Sequence, residues 1–390
     1  MRPTLLYLSM IAEVPSHRRK LAGIVRYCTV RGWQAVPIPR AESTPDAVPG
    51  LLRRFRPVGC VVEGVGRHAD LPPGLFRGVP VSYIAYPSSM TGRHPNFHFD
   101  SEVIVETALR ELSLGKPSCY AAIGHPRPWS WSLFRARVFR KQVRAAGAKC
   151  FSFPSRPVAE DEPWDDFVRR LSPWLARLPE HCAVFAVSDE TAALVARAAR
   201  AAARHIPKSL TLLSVDNFAE LCESATPPIS SIELDFEREG YLAARSVEEA
   251  LPVRPIERLG PLLVARRKST GGRGRHEPWV SDAVEAIRRE ATSGLTAAAL
   301  IARYPVSKRL FTLRYREATG HSVLDDILHV RLEKACALLA DTDTAIGAIP
   351  GLCGFCCDRT LDALFRSRFG VSMLAWRRKH ARAALGRHKK

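Results

Sequence analysis

The chain has 390 residues, 46% hydrophobic and 25% charged, with a formal charge of +19. That length can bury sizeable cores and suits two or three domains, and the composition is that of an ordinary soluble globular protein. No stretch approaches the length a membrane-spanning helix needs. The charge is uneven: residues 266–390 hold 24 Lys/Arg against 12 Asp/Glu, or +12, which leaves 34 against 27, or +7, for the first 265. Cationic excess in the last third points to a polyanionic partner there. A genome that favours Arg codons accounts for the arginine usage but not for this imbalance. The 10 cysteines have no paired spacing and suit a reducing, cytoplasmic setting.

Residues 1–265 alternate short apolar runs with amphipathic stretches. The runs are TLLYLSMI (4–11), VGCVVEGV (58–65), VPVSYIAY (79–86), SCYAAIG (118–124), AVFAVSD (183–189) and LTLLSVDN (210–217). Glu13 follows the first run at once and no small-residue cleavage motif is nearby, so this run reads as a buried strand rather than a signal-peptide core. Helical patterning falls between the runs, at 101–114, 134–146, 164–177, 190–204 and 237–250. Apolar strands alternating with helices predict parallel sheets covered on both faces, an α/β architecture. A change of register near Gly115–Pro117 divides the strands into two halves with a cleft between them.

RRKSTGGRGRHEP (266–278) has no apolar periodicity and is rich in glycine and cations, which predicts a flexible linker. From Trp279 to Arg382 the pattern is helical throughout, and a basic tail occupies 383–390. Shifted by fifty positions, this region overlays itself: Arg309 falls on Arg359, Phe311 on Leu361, Tyr315 on Phe365, Arg316 on Arg366, Gly320 on Gly370 and Ser322 on Ser372. A short helix precedes each copy, at 296–303 and 344–352, so each unit reads as helix, turn, helix and glycine stop.

In such a unit the second helix buries one stripe on its partner and offers the other to the DNA major groove. The outward stripes are Lys308, Arg309, Thr312, Leu313 and Arg316 in the first copy, and Arg359, Thr360, Asp362, Ala363 and Arg366 in the second. Arginine at matching places suits guanine edges or phosphates, whereas a solvated face has no reason to repeat in register. Between the copies, 323–340 has unbroken helical spacing, and a helix of that length spans about 27 Å. It would hold the two reading helices near one turn of B-DNA apart, about 34 Å.

The stretch HVRLEKACALLADTDTAIGAIPGLCGFCCDRTLDALFRSRFGVSMLAWRR (329–378) resembles the DNA-binding domain of AraC-type regulators, over 279–380. It departs from that pattern twice. Pro350 stands at a helix-interior position, where proline costs about 3 kcal/mol and predicts a short or kinked helix. Met373 replaces a proline after the final turn.

In the front part, IPKSLTLLSVDNFAELCESATPPISSIELDFEREGYLAA (206–244), AVSDETAALVARAA (186–199) and HFDSEVIVETALRELSLGKPSCYAAIG (98–124) resemble the effector domain of lac-repressor-type regulators. That domain is similar to periplasmic sugar-binding proteins. Together the resemblances imply a two-lobed, periplasmic-binding-protein-like α/β domain (1–265), a linker (266–278) and an all-α domain with two helix-turn-helix units (279–382). They imply a transcriptional activator of a carbohydrate-utilisation operon, answering to a small sugar such as the pentose xylose.

Carried over by position, the resemblance implies that Arg135, Asp216, the pair Ser188 and Asp189, and Asp100 contact the sugar. Bidentate Arg and Asp groups suit vicinal hydroxyls, and aromatic rings stack on apolar sugar faces. Trp129 and Trp131 read equally as stacking residues or as packing, and Glu63 equally as cleft lining or a strand-end cap. Ligands of α/β sheets gather beyond the carboxyl ends of the strands. The expected partners are duplex operator DNA, a sugar effector, a second copy of the chain and RNA polymerase. Neither a cofactor nor a membrane is expected.

Two alternatives stay open. The front domain serves only dimerisation or binds a ligand other than a sugar, or the chain is a carbohydrate-acting enzyme. A glycosidase needs two carboxylates about 5–9 Å apart, and the spacing fixes no such pair. The G-x-x-x-x-G-K-[ST] and H-E-x-x-H motifs are absent from the sequence. Cys353 and Cys356 in CGFCC offer half a zinc site at most and read as packing residues, so no metal is expected.

Overall fold

The computed structural model describes residues 2–8, 15–64, 71–86, 88–127, 129–154, 163–248, 259–271, 278–319, 321–342, 344–355 and 358–380. The chain divides into two compact units, Met1–Arg273 and Gly274–Lys390.

The first unit has two lobes. In the first lobe, β1 (Thr4–Leu8), β2 (Gln34–Ile38), β3 (Gly59–Glu63), β4 (Val81–Ile84) and β5 (Asn96–Phe97) form a sheet in the order β2-β1-β3-β4-β5. Every pair in it is parallel. The helices of this stretch are α1 (Pro15–Arg31), α2 (Val48–Phe55) and α3 (Ser88–Thr91). The second lobe contains α4 (Ser101–Ser113), α5 (Ser130–Ala145), α6 (Trp164–Ala176), α7 (Asp189–Ala201) and α8 (Ala219–Ser224). Its strands are β6 (Cys119–Ile123), β7 (Cys150–Ser152), β8 (Cys182–Ala186), β9 (Leu210–Asp216), β10 (Ser230–Leu234) and β11 (Pro261–Ala265), in the order β11-β10-β9-β8-β6-β7. All but β11 run parallel. The six apolar runs of the sequence are β1, β3, β4, β6, β8 and β9. Strands β3 and β8 are buried along their whole length, as expected of sheets with helices on both faces.

The crossings between lobes differ from the expected division at Gly115–Pro117. Helix α4 packs on α5, β9, β10 and β11, so it already belongs to the second lobe. The first crossing therefore falls at Phe99–Asp100, where Phe99 bridges Leu259 and Asp100 N donates to Leu259 O at 2.9 Å. Helix α9 (Phe236–Glu248) returns to the first lobe, against α1, β3 and β4. It lies very close to α1: a Cβ on Gly240 would stand 2.0 Å from Lys20 O, and one on Gly23 1.8 Å from Glu237 O. Only glycine permits that approach.

The span expected as a linker is fixed to the second lobe at its start. Arg266 makes a bidentate pair with Glu111 at 2.8 and 2.7 Å. Arg267 donates to Ile229 O at 2.9 Å, and buried Ser269 donates to Leu212 O at 2.6 Å. Apolar periodicity misses this segment because side-chain hydrogen bonds hold it. Residues 272–277 and the tail from 381 lie outside the described residues.

The second unit is helical among its described residues: α10 (Pro278–Glu290), α11 (Ala297–Ile301), α12 (Lys308–Thr319), α13 (Val323–Asp341), α14 (Ile349–Leu352), α15 (Asp358–Phe369) and α16 (Met373–His380). Helices α12 and α15 start and end at the same offset, and the repeat is structural. Phe311 and Tyr315 sit in one core, and Leu361 and Phe365 in another. The repeated serines both act at helix starts. Ser322 caps α13 with a capping box, and Ser372 Oγ accepts from Ala375 N at 3.2 Å. Pro350 lies in the first turn of α14, after a 3-10 turn over Ile346–Ala348. The backbone N–H that proline lacks would have no intrahelical partner there, so Pro350 fits the start of the short helix instead of kinking one.

Candidate functional site

A cavity of about 420 Å³ in the first unit is walled by both lobes. Of the residues expected at a ligand, Glu63, Trp129, Trp131, Arg135, Ser188 and Asp216 line it. Asp100 and Asp189 do not. Asp100 caps α4, its carboxylate accepting from Glu102 N at 2.9 Å. Asp189 is fully buried and accepts from Ser214 Oγ, from Ser231 Oγ at 2.6 Å and from Phe218 N at 2.7 Å. These are positioning roles. Phe218 N lies just past Asp216 and Asn217, which adopt φ values of 110° and 53°. Strained backbone of this kind persists where its surroundings over-determine it, and the Asp189 network is such a surrounding.

Asp216 thereby projects from the carboxyl end of β9, and its side chain makes no hydrogen bond among the described residues. Burial, then the neighbouring Asp189, push its carboxyl well above the ordinary range, against the pull of Arg135. Arg135, from α5, is 5% exposed; its Nη1 donates to Val187 O at 2.7 Å, but its Nε has no partner among the described residues. Its guanidinium lies 5.2 Å from the centroid of Trp131. Trp129 stacks on His125 at 4.2 Å, and His125 Nε2 meets Glu190 Oε2, another lining residue, at 3.0 Å. Ser188 caps α7, its Oγ accepting from Thr191 N at 3.3 Å.

The first lobe contributes a buried charged network that periodicity does not reveal. Tyr7 Oη and Lys20 Nζ donate to Glu63, and His17 Nδ1 contacts the same carboxylate. Burial raises the Glu63 carboxyl, but Lys20 and His17 outweigh it and hold the group well below the carboxylate range. His17, Lys20 and Glu239 also line the cavity, with Tyr86, Phe218 and Phe236. Helix α1 reads as polar, and nothing local marks Lys20 as buried.

In the second unit, Lys308, Arg309, Thr312, Leu313 and Arg316 are exposed on α12. On α15, Arg359, Thr360, Ala363 and Arg366 are exposed, while Asp362 is half-buried and pairs with Arg366 at 3.0 Å. The two stripes thus differ in that one arginine of the second is already held by a carboxylate. Cys353 is buried in the core with its thiol pushed up to about 11 by burial, and Cys356 lies outside the described residues. No helix among the described residues is long and apolar enough to cross a membrane.

Comparison with known proteins follows this division. Residues 118–270 match the family model of the periplasmic binding protein-like domain, and residues 300–379 that of the helix-turn-helix domain. The xylose operon regulatory protein of Escherichia coli (strain K12) is 25% identical over 286 residues, covering 71% of this chain and 73% of the relative. That of Haemophilus influenzae is 23% identical over 291 residues, covering 72% and 74%. The solved structure of a xylose-binding transcription activator, xylR, has a TM-score of 0.51 at 22% identity, covering 97% of this chain and 98% of that one, which supports the fold.

Proposed function

From a chain that is a DNA-binding transcription regulator, homologous to the xylose operon regulatory proteins and joining a periplasmic-binding-protein-like domain to an AraC-type helix-turn-helix domain, we propose that a small sugar in the cleft controls DNA binding. The observation that carries this reading is the pair Arg135 and Asp216. Both line one cavity, where Arg135 Nε lacks an acceptor among the described residues and the guanidinium lies by the aromatic face of Trp131. A polyol supplies what that wall lacks: hydroxyl protons for Asp216, oxygen acceptors for Arg135 Nε and an apolar ring face for the tryptophan. A pentose such as xylose is the effector class.

Helices α12 and α15 read the operator through the exposed residues named above. The regulator acts in the cytoplasm as an activator and as a dimer, with two copies reading repeated half-sites and engaging RNA polymerase. The sugar acts by binding one arrangement of the lobes better than another, since only that difference shifts the equilibrium. A thermal-shift panel of pentoses, hexoses and sugar acids tests the reading. A cognate sugar at 100 times its Kd adds about 2.7 kcal/mol of stability. A panel without a single shift leaves the front domain to dimerisation or to another ligand.

A further inference from the structure

The first-lobe wall of the cavity holds an acceptor without a donor. Glu239, in the first turns of α9, has a side chain only 2% exposed and lines the cavity. Its Oε2 has no hydrogen-bond partner among the described residues. Lys20 Nζ stands 3.5 Å away, outside the usual range of about 2.7–3.2 Å for such a bond. Lys20 comes no nearer because Glu63, itself held by Tyr7 and His17, draws it toward β3. Buried acceptors are almost always satisfied in native proteins. On the opposite wall, Arg135 Nε is a buried donor without an acceptor.

We propose, resting on the sugar-effector reading, that Glu239 is a specificity-determining residue whose carboxylate accepts a hydrogen bond from an effector hydroxyl, selecting a neutral polyol and making affinity fall in acid. Above pH 7, Glu63, Glu190 and the ionised Glu239 outnumber Lys20 and Arg135, the permanent cations of the lining, which disfavours a sugar acid; Asp216, whose carboxyl burial pushes up, does not enter that balance. The charged groups that act on Glu239 are Lys20 from α1, Glu63 from β3, Asp235 at the start of its own helix and Arg135 from α5. Burial foremost, with Glu63 and Asp235 adding and Lys20 opposing, pushes the Glu239 carboxyl up to about 7. The neutral acid still accepts at its carbonyl oxygen but weakly, and it carries an O–H donor of its own, so the ionised form is the stronger acceptor and affinity falls with the ionised fraction. That fraction falls about tenfold between pH 8 and pH 6, which sets about tenfold as the ceiling on the rise in apparent Kd.

The test is calorimetry of the full-length chain with D-xylose and with D-xylonate at pH 6 and pH 8. The expected result is D-xylose binding tighter at pH 8 by up to about tenfold, and weaker binding of D-xylonate than of D-xylose at pH 8. In Glu239→Gln the pH dependence flattens. In Lys20→Gln, where the cation opposing protonation is gone, the midpoint moves to higher pH. A wild-type affinity that is flat across this range, a Glu239→Gln variant with the wild-type pH profile, or D-xylonate bound as well as D-xylose overturns the role of Glu239 while leaving the sugar reading intact. If Glu239→Gln fails to fold, the wild-type profile and the Lys20→Gln midpoint still decide. No heat with D-xylose at either pH removes the pentose assignment itself.

Discussion

The guanidinium of Arg331 lies 5.3 Å from the centroid of the Phe355 ring while its Nε and Nη2 donate to Ala291 O at 2.9 Å and Leu295 O at 2.8 Å. One residue of the connecting helix α13 thus ties the segment before the first short helix to the turn of the second helix-turn-helix. Gly354 reinforces the tie: at φ +80°, a Cβ there would stand 2.8 Å from Ala291 O. Orientation of the two reading helices depends on this joint.

Arg331→Ala is expected to lower the stability of the second unit by about 2–3 kcal/mol, since charge-assisted hydrogen bonds contribute about 1.5–3 kcal/mol each and water recovers part of the loss. Arg331→Lys keeps the charge but not the planar fork and restores little. Urea denaturation of the full-length variants measures this. Variants as stable as the wild type mean that α13 holds the two halves without Arg331.

Glu63 makes the first lobe sensitive to acid. Its folded pKa is depressed, so the folded state binds fewer protons than the unfolded chain, whose glutamates titrate near 4.3. The stability it contributes is present above that value and is lost as pH falls through it toward the depressed folded value. Glu63→Gln breaks the buried pair and leaves Lys20 only Glu239 at 3.5 Å, and is expected to cost about 3 kcal/mol at pH 7. It should also flatten the loss of stability between pH 5 and pH 3. Denaturation at several pH values checks both, and an unchanged acid slope means Glu63 is not the group responsible.

How much of this the sequence carried depended on how local each signal was. Strands β1, β3, β4, β6, β8 and β9 were legible as apolar runs because both faces of each sheet are covered. Strand β10 was not, since Ser230 and Ser231 are buried polar residues that break the pattern while serving hydrogen bonds to Ser269, Asp189 and Asn217. β2, half-exposed and carrying Pro37, and β7, three residues long, are edge strands too exposed or too short to stand out as apolar runs. The resemblance located Arg135 and Asp216 on the second lobe. It placed Asp189 at the ligand, where the fold uses it one layer behind. Lys20 and Glu239 meet only because α9 returns to the first lobe, a crossing that no local pattern announces.

The paired stripes on α12 and α15 predict separable DNA effects. Arg309→Ala and Arg359→Ala should each weaken specific binding by about 1–3 kcal/mol where the contact is to guanine. Each should remove protection over a different half-turn of one operator. Asp362→Ala should act in the opposite direction. It frees Arg366 from its 3.0 Å pair, steepening the log–log salt slope by about 0.9 if the freed cation reaches a phosphate. Footprinting and salt titration of binding separate these outcomes. Identical footprints for the two arginine variants would mean that the helices do not read successive grooves.

The last prediction separates contact from positioning in the cleft. Arg135→Ala and Asp216→Ala remove groups that line the cavity, and each is expected to weaken sugar binding about ten- to hundredfold, the equivalent of one lost charge-assisted bond. Asp189→Ala touches no cavity wall, yet it strands Ser231 Oγ and Phe218 N, leaves Ser214 Oγ only Ser230 O at 3.3 Å, and releases the turn that holds Asp216 at φ 110°. It should therefore lose stability first, by about 2 kcal/mol or more, with two buried donors left unsatisfied at about 1–3 kcal/mol each. Asp189→Asn keeps acceptor Oδ1 and should recover part of that stability, while the turn remains unfixed where Phe218 N meets an amide. In all four variants, DNA binding by residues 279–390 is expected to stay within about twofold of the wild type, because none of these positions lies in that unit. Calorimetry with D-xylose, paired with thermal denaturation of the same preparations, tells the two classes apart. Wild-type affinity in both Arg135→Ala and Asp216→Ala would move the effector elsewhere in the cleft, whereas an Asp189→Ala protein of normal stability would show that the strained turn is held by something other than the Asp189 network.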